Sequence, residues 1–185
     1  MATITLAEQY RKEVVPAMQA QFGYKNVMAV PRLEKVVLNI GIGRLRDDKE
    51  RQEVHKFFAL IAGQKAQHRT AKKAIASFKI RQGMTVGYRV TLRGKRMYDF
   101  VMRLTRAALP RTRDFQGLDV AAFDGRGNLT IGIKEHIVFP EMIGEDYHLL
   151  FGLTVTVVTT AKTRAEGIAL LKFLGFPLKR TADAA

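Results

Sequence analysis

Hydrophobic residues recur along this chain with two different spacings. In four stretches they return every three or four residues, which predicts amphipathic helices. The predicted helices cover 5–22, 48–62, 95–109 and 163–175. The first and the last begin with the spacing of a capping box, in which Thr5 precedes Glu8 and Thr163 precedes Glu166. The side chains expected to face the core are Leu6, Tyr10, Val14, Met18, Phe22, Val54, Phe57, Phe58, Ile61, Met97, Phe100, Val101, Leu104, Ile168, Leu171 and Leu174.

Five further stretches alternate apolar and polar residues, which predicts strands with one buried face. These strands cover 33–42, 74–81, 86–93, 129–133 and 153–160. The polar face of the first three would carry Lys35, Asn39, Lys79, Arg81, Arg89, Thr91 and Arg93. Residues 124–128 are typical of a hairpin turn between two short strands.

This order of elements predicts an α+β fold in two layers. We expect a single domain over 1–180, in which a mostly antiparallel sheet of about five strands has helices packed on one face. A hairpin would protrude near 79–87, and 181–185 would form a disordered tail. The chain has 185 residues, no cysteine, no long apolar run and no signal-peptide pattern, so we expect a cytoplasmic protein without a membrane partner.

The net charge of +14 is concentrated in one part of the chain. Residues 64–113 contain 14 Lys and Arg against one acid, Asp99, whereas the remainder holds 17 basic and 16 acidic residues. Such a concentration predicts a surface for a polyanion rather than a merely solvated face. The cations fall largely on strands and loops, and a lipid-binding segment is typically a basic amphipathic helix, so nucleic acid is favoured over acidic lipid.

Structured RNA fits the pattern better than other nucleic acids. The sequence has no zinc-finger spacing, no basic leucine zipper and no clear helix-turn-helix, and a basic sheet face with small polar groups resembles RNA-binding sheets. Phe78 and Tyr88 fall on the core-facing side of their predicted strands, so base stacking on the sheet is not expected. Recognition through phosphates and 2′-hydroxyl groups is expected instead.

Two glycine-containing segments could carry other chemistry. Residues 39–44 lack the third glycine of a dinucleotide fingerprint and the Lys-Ser/Thr pair of a P-loop, so Gly41 and Gly43 indicate close backbone approach to a strand or to RNA. Residues 78–87 predict a hairpin whose tip exposes Arg81, Gln82 and Met84.

HExxH and GxSxG motifs are absent, and the histidines lack the local spacing of metal ligands. We expect neither an enzyme nor a cofactor.

Several segments together resemble the family of the large-subunit ribosomal protein conventionally numbered five, which binds 5S rRNA. They follow the order and spacing of its bacterial form across about residues 5–180. They are PRLEKVVLNIGIG at 31–43, AGQK at 62–65, TAKKA at 70–74, FKIRQG at 78–83, VTLRG at 90–94, PRTRDF at 110–115, FDGRGN at 123–128, FPE at 139–141 and TTAK at 159–162.

The resemblance implies a structural component of the central protuberance of the large subunit. Its implied partners are 5S rRNA, large-subunit rRNA, the peptidyl-site tRNA, neighbouring proteins of the protuberance and a protein of the small-subunit head. The implied rRNA-binding residues are Arg32, Lys35, Asn39, Gly63, Gln64, Lys65, Lys72, Thr91 and Arg93. Contact with the tRNA elbow is implied for Lys79, Arg81, Gln82, Gly83 and Met84. An intersubunit bridge is implied for Pro140, Glu141, Met142, Glu145 and Asp146.

Two alternatives stay open at the level of sequence. An RNA-processing or nucleotide-using enzyme on the same basic face would gather acids or histidines into a cluster in the folded protein. A DNA-compacting protein would bind duplex DNA as tightly as structured RNA.

Overall fold

A five-stranded antiparallel sheet and four helices make up the regular structure in the computed structural model, which describes residues 5–45 and 47–179. The strands are β1 (Leu33–Gly41), β2 (Gln67–Thr70), β3 (Thr85–Leu92), β4 (Leu129–Ile133) and β5 (Leu153–Thr159). Their order in the sheet is β2-β3-β1-β5-β4. This arrangement confirms the predicted α+β class.

The four helices begin and end close to the predicted residues. Helix α1 runs continuously through Leu6–Gln9, a π-helical turn at Tyr10–Val14, and Val15–Phe22. Helix α2 is Asp48–Ala62, α3 is Gly94–Arg103 followed by a π-helical turn at Leu104–Ala108, and α4 is Arg164–Phe173. Both predicted capping boxes are formed, at Thr5 with Glu8 and at Thr163 with Glu166.

The chain divides into two compact units, each built from separate stretches of sequence. The first combines, among the described residues, 5–36 with 93–131 and 156–179. In it α1 packs against α3 and α4. The side chains that these helices bury are Leu6, Val14, Val15, Met18, Met97, Phe100, Val101, Leu104, Ala169, Leu170 and Leu171. The hydroxyl of Tyr10 donates a hydrogen bond to the carbonyl of Pro31 (3.0 Å), which holds the approach to β1 against α1.

The second unit combines 37–45, 47–92 and 132–155. Helix α2 buries Val54, Phe57, Phe58 and Ile61, as predicted, and contacts β3. The hydroxyl of Tyr88 donates to the carbonyl of Arg51 (3.2 Å). The rings of His55 and His68 stack with their centroids 5.3 Å apart, and both meet the ring of Tyr88 edge-on. These rings fasten the edge strand β2 to α2.

One predicted strand is wrong and one real strand was not predicted. Residues 74–81 do not form a strand, because Ala76–Phe78 is a turn of 3-10 helix and Lys79 adopts a left-handed backbone (φ 54°). On the side of β3 away from β1, the neighbouring strand is β2 instead, with His68 opposite Tyr88. All four residues of β2 are exposed, so no alternation of buried residues marks it in the sequence. The tail expected over 181–185 lies outside the described residues.

Candidate nucleic-acid interface

The Gly-Gln-Lys loop after α2 is held on β3 by a side chain. Gly63 ends the helix with a left-handed backbone (φ 68°), and its N–H donates to the carbonyl of Ala59 (2.9 Å). The chain then turns so that Nε2 of Gln64 donates to the carbonyl of Thr91 (3.2 Å). Lys65 follows and is exposed to solvent. The loop therefore presents its cation from a fixed position.

Asn39 and Thr91 lie on the polar faces of β1 and β3, as the alternation predicted. Asn39 is exposed between the buried Leu38 and Ile40. Thr91 is half-buried between Val90 and Leu92, which are both buried. Asn39, Gln64 and Thr91 all belong to the second unit. Gln64 and Thr91 are in direct contact through the hydrogen bond between them.

In the first unit, the carboxylate of Glu34 neutralises part of the predicted phosphate-binding charge. Its Oε1 lies 3.3 Å from Nζ of Lys35 and 3.9 Å from Nη1 of Arg93. These side chains are partly exposed, and ion pairs of this kind contribute at most about 1 kcal/mol, so a phosphate can displace the carboxylate. Sequence reasoning named both cations but not their shared acid.

Arg32 is fixed through its main chain rather than its side chain. Its N–H donates to the hydroxyl of Thr160 (3.0 Å), and its carbonyl accepts from the N–H of Thr160 (2.9 Å). The side chain is exposed. Its position at the start of β1 is therefore determined by the backbone, while the guanidinium is available to a ligand.

Residues 72–82 form an exposed segment between β2 and β3, which we call the basic loop. Its base is closed by the N–H of Ala71, which donates to the carbonyl of Met84 (2.9 Å), and by the N–H of Gly83, which donates to the carbonyl of Ala71 (3.0 Å). Within the loop, Ile75 and Ile80 exchange two backbone hydrogen bonds of 2.9 and 3.1 Å. The exposed polar side chains of the loop are Lys72, Lys73, Ser77, Lys79, Arg81 and Gln82.

The basic loop corrects two expectations about side-chain direction. Met84, expected at an exposed tip, is half-buried at the base. Phe78, expected to face the core, is 70% exposed. The four cations Lys72, Lys73, Lys79 and Arg81 surround Phe78 in the sequence, and that flanking charge is the signal that could have indicated an exposed position.

The segment implied to form a bridge mixes exposed and buried residues. Met142 is buried, so its side chain supports the segment from inside, whereas Asp146 is exposed. Glu145 pairs with Lys56 (3.1 Å). Pro140 and Glu141 are half-buried. The sequence pattern did not single out the exposed apolar side chains beside them, which are Ile143, Tyr147 and Leu150.

The described part of the chain offers neither a metal site nor a membrane span. Residues 5–45 and 47–179 contain no group of three or more histidine and acidic side chains placed to hold a metal ion. Over the same ranges, every helix is too short or too polar to cross a bilayer.

Comparison with known proteins identifies two adjoining family matches. Residues 26–81 match the model described as ribosomal protein L5, and residues 85–178 match the model described as the C-terminus of that ribosomal protein family. A protein of Desulforapulum autotrophicum named large ribosomal subunit protein uL5 is 51% identical, over 95% of this chain and 98% of its own length. Proteins of the same name from Thermosipho melanesiensis and Halothermothrix orenii are 50% and 49% identical, over 97% and 95% of this chain and 100% and 98% of their own.

Proposed function

We propose, from the premise that this chain belongs to the L5 family of large-subunit ribosomal proteins, that it binds 5S rRNA. Family membership makes the chain a component of the large ribosomal subunit rather than an enzyme, in agreement with the sequence analysis. The 5S contact is assigned to Asn39, Gln64 and Thr91, with Lys65 as a phosphate ligand.

The observation that carries this assignment is the hydrogen bond from Gln64 to the carbonyl of Thr91 (3.2 Å). It joins the loop to β3 before any RNA arrives, so ordering the loop costs little on binding. The exposed amide of Asn39 offers a donor and an acceptor to sugar hydroxyls, and Lys65 offers charge. Small neutral groups then set the register while cations supply affinity.

The other residues assigned to rRNA binding are divided between the two units. In the second unit, Lys72 is exposed, and Gly63 has a left-handed backbone and no heavy atom within 4 Å of an added Cβ, so RNA can approach its main chain. In the first unit, Arg32, Lys35 and Arg93 bind phosphates, and a phosphate replaces Glu34 as the partner of Lys35 and Arg93.

The test is equilibrium binding to 5S rRNA, to a scrambled structured RNA of equal length and to duplex DNA, across a salt series. Lys65→Ala should weaken binding to every RNA and lower the salt slope by about one. Asn39→Ala should weaken binding to 5S rRNA selectively, by about 1–3 kcal/mol if a buried partner loses its hydrogen bond. Lys134→Ala, which removes an exposed cation at the end of β4, is the matched control.

Equal binding to all three nucleic acids, lost together at high salt, would contradict specific 5S recognition. Equal losses for Asn39→Ala on 5S and scrambled RNA would contradict the role of Asn39. Duplex DNA bound as tightly as 5S rRNA would favour the DNA-compacting alternative.

Contact with the elbow of the peptidyl-site tRNA is proposed for the basic loop and its base. Lys79, Arg81 and Gln82 are exposed, and Gly83 has a left-handed backbone (φ 83°) that brings the main chain to the surface. Met84 is half-buried and takes part through its backbone, which closes the loop on Ala71.

An intersubunit bridge to a protein of the small-subunit head is proposed for 140–146. Asp146 offers an exposed carboxylate, and Pro140, Glu141 and Glu145 line the same segment. Met142 anchors it in the core. Reconstituted large subunits test both contacts: Arg81→Ala should lower affinity for peptidyl-site tRNA, and Asp146→Ala should lower subunit association, each leaving the other property unchanged.

A further inference from the structure

Phe78 stands at the side of an open groove with an unusual lining for a protein surface. The groove has a volume of about 550 Å³ and is lined by Gly41, Gly43, Arg44, Phe78 and Ile80. An added Cβ on Gly41 would have no heavy atom within 4 Å, and one on Gly43 would meet only Cδ1 of Ile80, at 3.8 Å. The lining therefore combines glycine backbone that no side chain covers with an exposed aromatic ring.

Backbone hydrogen bonds within the loop hold Phe78 in its exposed position. The paired backbones of Ile75 and Ile80 fix the two ends of the turn, and the N–H of Lys79 donates to the carbonyl of Ala76 (3.0 Å). The left-handed backbone of Lys79 completes the reversal of the chain. The turn thus holds a large apolar side chain in solvent, where it gains nothing for the folded state.

We propose that Phe78 is a stacking platform for one unpaired nucleobase of a folded RNA, with Arg44 and Lys79 binding the adjacent phosphates. The inference rests on the proposed function only in that it requires the basic loop to face RNA. It adds a contact with a base, whereas the sequence predicted contacts with backbone and sugar alone.

Charge and shape favour a nucleobase over an apolar peptide side chain. The basic loop carries four cations and no acid, and Arg44 adds a fifth cation at the groove. Every base has a flat π-face next to a phosphate, so it matches an exposed ring among cations. The glycine backbone in the lining leaves room for a planar group.

Affinity for two RNAs of equal length and charge tests the proposal. One is a stem with a loop of unpaired nucleotides, and the other is fully paired. Phe78→Ala should weaken binding to the looped RNA by about fivefold to a hundredfold, the range for loss of one stacked base, and leave the duplex unchanged. Phe78→Tyr should retain binding, while Phe78→Leu should lose most of it. Leu150→Ala, at a side chain 56% exposed, is the matched control and should change the affinity for neither RNA.

A substitution at Gly41, which also lines the groove, tests the groove independently of the ring. Gly41→Leu adds a side chain where no heavy atom lies within 4 Å of the new Cβ, so the fold should tolerate it. It should weaken binding to the looped RNA in the same way as Phe78→Ala. An unchanged affinity would overturn the groove as the site of the base.

A spectroscopic measurement reports stacking directly. The chain contains no tryptophan, so Phe78→Trp introduces a single indole. Its fluorescence should be quenched by the looped RNA and not by the duplex, while Met28→Trp, at a position 79% exposed, should show no such difference. No quenching at position 78, or equal loss of both RNAs for Phe78→Ala, would overturn the proposal and leave Phe78 as a contact for protein.

The outcomes separate this inference from the proposed function. If the wild-type protein shows no preference for 5S rRNA but Phe78→Ala selectively loses the looped RNA, 5S recognition fails and base stacking stands. If 5S preference persists and Phe78→Ala changes nothing, stacking fails and 5S recognition stands.

Discussion

At the scale of single residues, His136 is a titratable group without access to water. Its side chain is fully buried, and its ring stacks on that of Phe151 with centroids 4.0 Å apart. Nδ1 accepts a hydrogen bond from the N–H of Phe151 (3.4 Å), which assigns the proton of the neutral ring to Nε2. Burial lowers the pKa of His136, and the negative charge of Glu53 acts in the opposite direction.

The buried imidazole predicts a loss of stability in mild acid. The pKa of His136 is lower in the folded chain than the ordinary value of about 6.5, so the unfolded chain takes up the proton first as the pH falls. The free energy of unfolding should therefore decrease as the pH falls through that value towards the folded pKa. His136→Phe keeps the ring stack and should remove this part of the pH dependence. Urea unfolding from about pH 8 to about pH 5 measures it, and identical profiles for both proteins would contradict the prediction.

Glu34 predicts a substitution that strengthens RNA binding. Its carboxylate pairs with Lys35 and Arg93, the two cations that we propose as phosphate ligands. Glu34→Gln should raise the affinity for 5S rRNA by about two- to fivefold at low salt, and the gain should shrink as salt screens the charges. Glu13→Gln, at an exposed acid on α1, is the control. Weaker binding of Glu34→Gln would mean that Glu34 orders the two cations for RNA.

At the scale of elements, the periodic patterns predicted the helices and four strands because each of these buries a continuous apolar face. The wrongly predicted strand at 74–81 and the missed strand β2 have the same explanation, because neither segment buries such a face. In 74–81, Ala76, Phe78 and Ile80 alternate with polar residues, but Ile75 and Ile80 pair with each other and no core covers the apolar side. In β2, Gln67–Thr70 buries nothing and is a strand only because β3 lies beside it.

Helix α4 depends on a glycine at which the usual preference is reversed. In an exposed helix interior, Gly→Ala stabilises by about 0.5–1 kcal/mol. Here an added Cβ on Gly167 would collide with the Cα, carbonyl carbon and oxygen of Gly127. Gly167→Ala should therefore lower the free energy of unfolding, by about 1–3 kcal/mol, as overpacking does. Gly132→Ala has open space around the new methyl and should change stability little. Thermal and urea unfolding of both variants measure these changes in the free energy of unfolding. A Gly167→Ala variant that is more stable than the wild type would contradict the close contact between Gly167 and Gly127.

At the scale of the whole molecule, composition predicted the partner class better than it predicted individual contacts. The excess charge of 64–113 indicated a polyanion, and alternation placed Asn39 and Thr91 on polar faces. Neither could reveal the hydrogen bond from Gln64 to Thr91, the ion pairs of Glu34 or the outward ring of Phe78. The hydrogen bond of Gln64 and the outward ring of Phe78 depend on how loops close, which a few backbone hydrogen bonds determine without leaving a period in the sequence. The ion pair of Glu34 with Arg93 depends on β1 lying beside β3.

The order of strands in the sheet has a consequence for biosynthesis. Strand β1 lies between β3 and β5, and β5 begins only at Leu153. While the chain is being translated, β1 therefore waits with one row of backbone donors and acceptors unpaired until more than a hundred further residues have been made. A chain terminated before Leu153 keeps that open edge together with the full cationic stretch. We therefore expect a chain released before Leu153 to aggregate through the open strand edge while it still carries its cationic stretch. Degradation of such fragments would prevent them from binding RNA nonspecifically.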